Sequence, residues 1–335
     1  MYTKGVFPPS YPILQASWEL AHKNKHQQAL KLLLKAPEKD RDFNWSIAYS
    51  NYQYNLGNIE AAIQHLECVL QFNQQLSIKE NEQKNPLTSK NFKVYSALAY
   101  NYLALNRPKE ALYIFRKRAN IPYLTKGPKR GLSKQSDILK VAELALEIGK
   151  NNLAITYFNR LSPGPKIIPQ ELTKIPPLKS SKEYHDEVFP QAKLFGLALA
   201  HERIGEIKKA FFYYAELIQR FPYYQQGLTK FYKMVQKYNM VEGFSLREQG
   251  MELFHKLADQ HTNISFLQTL AAKTEQSPDN KRKSLENLQQ RFPHQHEISY
   301  ALARVCLKQR DYESAFSYAL AYKIVQIYMK QKLMR

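Results

Sequence analysis

Nine histidines and two cysteines are the residues with which this chain could hold a metal or attack a substrate, and their spacing supports neither. His22-x3-His26 has the interval of two metal ligands on one helical face, provided the helix runs unbroken. Asn24 stands between them where a turn is expected, and a turn destroys that geometry. His294-x-His296-Glu297 falls in a stretch read as a loop. His201-Glu202 lacks the second histidine of a zinc-protease helix. Gly127-Pro-Lys-Arg-Gly131-Leu-Ser-Lys134 offers glycines and cations, as a phosphate loop does. Its glycine spacing is wrong, no lysine directly follows the second glycine, and no strand precedes it. There is no nucleophile elbow and no dinucleotide fingerprint. The expectation is a protein without catalysis, cofactor or metal.

The chemistry that remains is charge. Lys and Arg number 49 against 29 Asp and Glu, a net charge of +20. Nearly half of that excess lies in 91–135, which holds 10 basic residues and 1 acidic one. Arg107, Lys109, Arg116, Lys117, Arg118, Lys126, Lys129, Arg130 and Lys134 form this basic patch. Such a patch attracts an anionic partner, whether acidic protein, nucleic acid or lipid headgroups; the plain alternative is a solvated surface. Bases stack on aromatic rings interleaved with cations, and Tyr123 is the only ring within the loop 120–135.

What positions these residues is a phrase that returns along the chain. Ala198-x2-His201-x3-Gly205-Glu-Ile207-x2-Ala210-x3-Tyr214 is one copy, and Ala142-x2-Ala145-x3-Gly149-Lys-Asn151-x2-Ala154-x3-Phe158 is another. Ala99-x2-Tyr102-x3-Asn106-Arg-Pro108-x2-Ala111-x3-Phe115 and Ala303-x2-Cys306-x3-Arg310-Asp-Tyr312-x2-Ala315 repeat it. Residues three and four apart share one helical face. A small residue in the first helix lets a second helix approach closely. Gly57, Asn106, Gly149 or Gly205 then tolerates the left-handed conformation that ends a helix. A second small residue (Ala29, Ala62, Ala111, Ala154, Ala210, Ala315) opens the next helix at the contact. The bulky residue four later fills the core one turn on (Leu33, Leu66, Phe115, Phe158, Tyr214).

This pattern resembles the tetratricopeptide repeat, a helical hairpin of about 34 residues. Six units match well, over 10–40, 43–73, 92–120, 135–163, 191–222 and 296–324. Two weaker units fill 224–262, where the small-residue signature is lost, and 263–293, where Ser284 or Lys281 takes the Ala place. The resemblance implies an all-α, right-handed solenoid of about eight stacked helix-turn-helix units, each packing on its neighbours. It implies a scaffold or adaptor that holds a peptide or helical segment of a protein partner in a concave groove lined by the first helices. Carried over position by position, the groove contains Asn51, Tyr54, Asn55, Lys93, Tyr100, Glu143, Arg304 and Lys308. Chaperone-binding relatives grip a C-terminal carboxylate with a Lys-Asn-Asn-Lys-Arg set. Here Ile47, Ala97 and Ser136 stand at members of that clamp, so no such role is expected. The alternative reading is a nucleic-acid-associated repeat protein that binds through 107–134.

Three stretches depart from the minimal unit. The polar run 71–91 is expected to extend a helix before looping, and 120–135 is the basic loop. Residues 162–190 contain Pro163, Pro165, Pro169, Pro176 and Pro177 and so cannot be one helix. This divides the chain into an array over 1–161, a Pro-rich linker over 162–190 and a second array over 191–335, closed by a helical cap from Ala321. Cys68 and Cys306 are both read as buried small apolar residues, too far apart in a solenoid to bridge. No run approaches the roughly 18 apolar residues of a membrane span and the N-terminus has no apolar signal stretch, so a cytoplasmic location is the default. The partner's identity and the oligomeric state are not legible.

Overall fold

The computed structural model describes residues 11–79, 89–120, 129–161 and 181–333. Among the described residues the fold is all-α apart from one short hairpin, and its sixteen α-helices pack as successive antiparallel pairs. The chain divides into two compact units, Met1–Leu161 and Ser162–Arg335.

The first unit contains α1 (Tyr11–His22), α2 (His26–Leu33), α3 (Phe43–Asn55), α4 (Ile59–Lys79), α5 (Ser89–Ala104), α6 (Pro108–Asn120), α7 (Lys129–Glu147) and α8 (Asn151–Arg160). Each helix packs on the next, and the first helices of successive pairs also meet, α1 on α3 and α3 on α5. The polar run 71–91 does extend a helix, since α4 continues to Lys79. The basic loop is shorter than expected, because α7 begins at Lys129.

The second unit contains α9 (Ser181–Arg203), α10 (Ile207–Arg220), α11 (Gln225–Lys237), β1 (Met240–Val241), β2 (Phe244–Ser245), α12 (Leu246–Gln260), α13 (Ser265–Thr274), α14 (Pro278–Arg291), α15 (His296–Lys308) and α16 (Tyr312–Leu333). Helix α9 starts well before Pro190, which it carries in its interior, so 181–190 belongs to a helix rather than to a linker. The Pro ring removes one ladder hydrogen bond there. The C-terminal segment is helical to Leu333, and Tyr322 packs its ring against His296 and Tyr300, at 5.8 and 5.3 Å.

One turn closes six of the eight pairs. Asn24, Gly57, Asn106, Gly149, Gly205 and Arg310 all have φ between 56° and 84°. The following N–H (Lys25, Asn58, Arg107, Lys150, Glu206, Asp311) donates back to the carbonyl five residues earlier at 2.8–3.0 Å. These are Schellman caps, which satisfy helix-end carbonyls and reverse the chain. The fourth residue of the second helix is then Ala29, Ala62, Ala111, Ala154, Ala210 or Ala315, none more than 3% exposed. The absence of a larger side chain there is what brings the two helices into contact. Four residues on, Leu33, Leu66, Phe115, Phe158 and Tyr214 are at most 2% exposed.

The remaining two pairs solve the same problem differently. Between α11 and α12 the chain forms a two-residue hairpin, with Glu242 and Gly243 both at positive φ (51° and 75°) and Met240 opposite Ser245. That is the backbone of a type I′ turn. The small-residue signature is not lost here, as the sequence suggested. Gly250 precedes the fully buried Phe254 by four residues, and a Cβ on Gly250 would lie 2.3 Å from Val235 Cγ2. Between α13 and α14 no left-handed residue is used. Ser277 caps α14 by accepting from the Asn280 N–H at 3.4 Å, and Pro278 occupies the first turn. The fourth residue of α14 is Lys281 and Leu285, four later, is fully buried, so Lys281 rather than Ser284 stands in the Ala place.

Cys306 is buried as expected, but Cys68 is exposed. Ile63, Leu66 and Leu70 mark the buried face of α4, and Cys68 falls between its rows.

Candidate functional surfaces

The groove positions of the first unit lie on α3, α5 and α7. Asn51, Tyr54 and Asn55 are exposed on α3, with Tyr54 at 41%. The Asn55 amide donates to the Asn51 carbonyl at 2.7 Å, so part of its capacity goes to closing its own helix. On α5, Lys93 is exposed, and Tyr100 is 55% exposed with its ring set edge-on against Phe115 at 5.5 Å. The core thus fixes Tyr100 while leaving much of it accessible. The helices that carry them, α3 and α5, pack on each other. Glu143 on α7 faces Lys140 at 3.9 Å. Surrounding protein pushes its carboxyl pKa up, Lys140 opposes this, and Glu147 adds to it.

The basic patch is not one surface. Arg118 is buried: it meets Asp137 of α7 at 2.6 Å, donates to Ser96 Oγ at 2.8 Å and lies 4.2 Å over the Phe92 ring. It is a structural cation, and its place in the patch is withdrawn. Arg107 pairs with Glu110 at 2.9 Å and stacks over Tyr102, which offsets much of its charge. Arg116 and Lys134 are exposed. Lys109 and Lys117 line a cleft of about 550 Å³ between α4, α5 and α6, beside Tyr113. Tyr113 is 55% exposed, with Lys117 Nζ 4.4 Å above its ring. At the cleft floor the Tyr102 hydroxyl donates to Glu67. Burial, reinforced by that carboxylate, pushes the Tyr102 pKa up to about 12. Lys126 lies outside the described residues, as do the side chains of Lys129 and Arg130.

Arg304 and Lys308 of α15 join residues that the groove positions of the repeat do not include. With Lys273 of α13, Lys281 of α14 and Tyr232 of α11 they line a cavity of about 280 Å³. A second cavity of about 400 Å³ shares Lys273, Gln276 and Lys281 and adds Arg247, Glu248 and Glu275. Lys281 was visible in the sequence only as a cation where small residues recur. Lys273 and Arg247 carried no signal, since nothing local announces which lysines of successive helices converge.

His22 ends α1 and His26 begins α2, with the Asn24 turn between them. His201 Nδ1 lies 2.6 Å from Glu206 and its ring stacks on Tyr213. Among the described residues no three His, Cys, Asp or Glu side chains converge as a metal site, and no helix is long and apolar enough to cross a membrane.

A protein-family model of the tetratricopeptide repeat matches residues 194–222, the C-terminal part of α9 with α10. No curated protein matches the sequence. Among solved structures, a tetratricopeptide repeat protein from Parabacteroides merdae is similar at 13% identity, covering 88% of this chain and 98% of its own, with a TM-score of 0.41. A STAND signal-transduction ATPase with a tetratricopeptide repeat sensor from Pyrococcus horikoshii is 13% identical, over 97% of this chain and 43% of its own, with a TM-score of 0.45. The TPR2AB domain of yeast Sti1, in complex with pHSP90, is 12% identical over 95% and 98%, with a TM-score of 0.33. At this distance the likeness says nothing of what this chain binds.

Proposed function

We propose that this chain, a tetratricopeptide-repeat protein by its matched hairpin at 194–222 and the pairs that share its turn, is a non-catalytic scaffold holding a segment of a protein partner. The observation that carries the reading is a pair of exposed rings on the neighbouring helices α3 and α5. Tyr54 and Tyr100 are 41% and 55% exposed there, beside the exposed Asn51 and Lys93. Amphipathic rings with amide and ammonium neighbours suit a peptide, because they cover apolar side chains and satisfy backbone groups at low entropic cost. Arg116, Lys117 and Lys109 give the same unit a cationic flank for acidic residues of the partner.

The test is a pull-down from native lysate in nuclease-treated and untreated halves, repeated with Tyr54→Ala/Tyr100→Ala. A protein recovered in both halves and lost from the variant supports the scaffold. Unchanged recovery by the variant rejects this surface.

One observation favours a second reading. Lys117 over the exposed Tyr113 ring, beside Lys109, is the cation and aromatic pairing that stacks nucleic-acid bases. That reading requires recovery to collapse with nuclease and affinity to fall steeply with salt, as counterion release demands.

A further inference from the structure

The cavity between α11, α13, α14 and α15 has walls of a single sign. Lys273, Lys281, Arg304 and Lys308 line it, and no carboxylate is among its described lining residues. In six other pairs the place of Lys281 is held by a buried alanine that closes the two helices on each other. Here a half-buried lysine occupies that joint, and a cavity of about 280 Å³ lies beside it. Burial pushes the ammonium pKa of Lys281 down; Lys308 and Arg247 add to this, and Glu275 opposes it. Burial does the same to Lys273, with Arg304 adding and Glu297 opposing. These cations crowd one another in partly desolvated surroundings, an arrangement unfavourable until an anion enters.

Between the charges the lining is mostly apolar, with Tyr232, Pro278, Ala301 and Val305 beside one amide, Gln276. Tyr232 is half-buried, its ring set edge-on against Phe254 at 6.1 Å. The cavity, at about 280 Å³, is of side-chain size.

We propose that this groove seats an acidic segment of a protein partner, its carboxylates meeting Lys273, Lys281, Arg304 and Lys308 and an apolar neighbour resting on Tyr232. The proposal rests on the scaffold reading and adds the chemistry of the occupant. Arg247 lines the adjoining cavity together with Lys273 and Lys281, but there Glu248 and Glu275 accompany it, so the seat for carboxylates is the first cavity.

The experiment uses the full chain and fluorescence anisotropy with three labelled probes: a peptide alternating Glu and Leu, its Gln-for-Glu isostere, and an oligothymidylate of equal length. Arg304 and Lys308 are both exposed, so Arg304→Gln/Lys308→Gln removes charge without emptying the core. The acidic peptide is expected to bind best, and the double variant to weaken it about tenfold or more. Lys150→Gln, an exposed change in the first unit, should leave it alone. Equal binding of the isostere, an unchanged double variant, or preferential binding of oligothymidylate each overturns the proposal. A lysate partner recovered equally by wild type and double variant also overturns it, while leaving the scaffold reading intact. Loss of every partner from Tyr54→Ala/Tyr100→Ala bears on the scaffold surface alone.

Discussion

Arg118 of α6 meets Asp137 of α7 at 2.6 Å with both side chains nearly withdrawn from solvent. The pair ties the third hairpin to the fourth at the point where the sequence had placed an open cation. Removing one member of a buried pair leaves the other charge unpaired, at a cost of about 3–5 kcal/mol. Asp137→Ala is therefore expected to lower the unfolding free energy of the first unit by that amount, read by urea titration. Arg118→Met/Asp137→Leu should recover most of the loss, since a well-packed apolar pair replaces a buried ion pair at little cost. If the double variant is as unstable as Asp137→Ala, the pair is not an isolated electrostatic unit.

The groove of the second unit makes an unusual stability forecast. Lys273 keeps its ammonium in surroundings that disfavour the charge, so Lys273→Met should raise the thermal midpoint of the free protein. About 1 kcal/mol corresponds to 2–4 °C in a domain of this size. An unchanged or lowered midpoint in differential scanning fluorimetry would show that the lysine is already satisfied.

Gly250 is a contact rather than a hinge. Glycine to alanine within a helix ordinarily gains up to about 1 kcal/mol. Here the new methyl would sit 2.3 Å from Val235 Cγ2, and overpacking costs about 1–3 kcal/mol. The clash should win, so Gly250→Ala destabilises, and adding Val235→Ala should restore part of the loss. Stabilisation by Gly250→Ala alone would contradict the close approach of α11 and α12.

Arg310 has φ of 61° and is exposed. A left-handed residue with a Cβ costs roughly 1–2 kcal/mol, and glycine is free of that penalty. Arg310→Gly is expected to stabilise the turn between α15 and α16 by about 1 kcal/mol, read by urea unfolding. The opposite sign would mean that the arginine side chain makes an energetic contact there.

His65 packs against Trp45 and Tyr49 at ring distances of 5.7 and 4.7 Å, and its buried Nε2 has no hydrogen-bond partner among the described residues. Burial lowers its pKa, and Arg41 lowers it further. The folded state therefore takes up a proton less readily than the unfolded chain, whose pKa is about 6.5. This contribution is fully present above that value and is lost as pH falls through the lower folded pKa. Urea midpoints of the first unit should drop between neutral and mildly acidic pH, and His65→Phe should flatten the drop. A slope unaltered by His65→Phe would assign the effect elsewhere.

The helical hairpins were legible because each rule acts locally. Gly57, Asn106, Gly149 and Gly205 mark their turns by residue type, and Arg310 follows from register even though its residue type argues against it. The α11–α12 hairpin was missed because a two-residue strand is too short to show a period of two. Its one sign was Glu242-Gly243 between apolar neighbours. Gly250 was missed because smallness had been sought as alanine. Arg118 was misplaced because a charge count along the chain cannot see Asp137 across a helix interface. Where Lys273 and Lys281 converge with Arg304 depends on the stacking of successive pairs, which no single repeat encodes.

Lys281 turns a seam into a seat by one exchange at a packing position. In a lattice of repeated joints, every joint sealed by alanine is an address where a ligand pocket can be written, and each pair packs only on its neighbours. If the cavity beside Lys281 seats a partner segment, recognition in this chain is modular in a sense finer than the repeat. One side chain opens or shuts a place without redrawing the ones beside it, so partner specificity can change joint by joint while the stack endures.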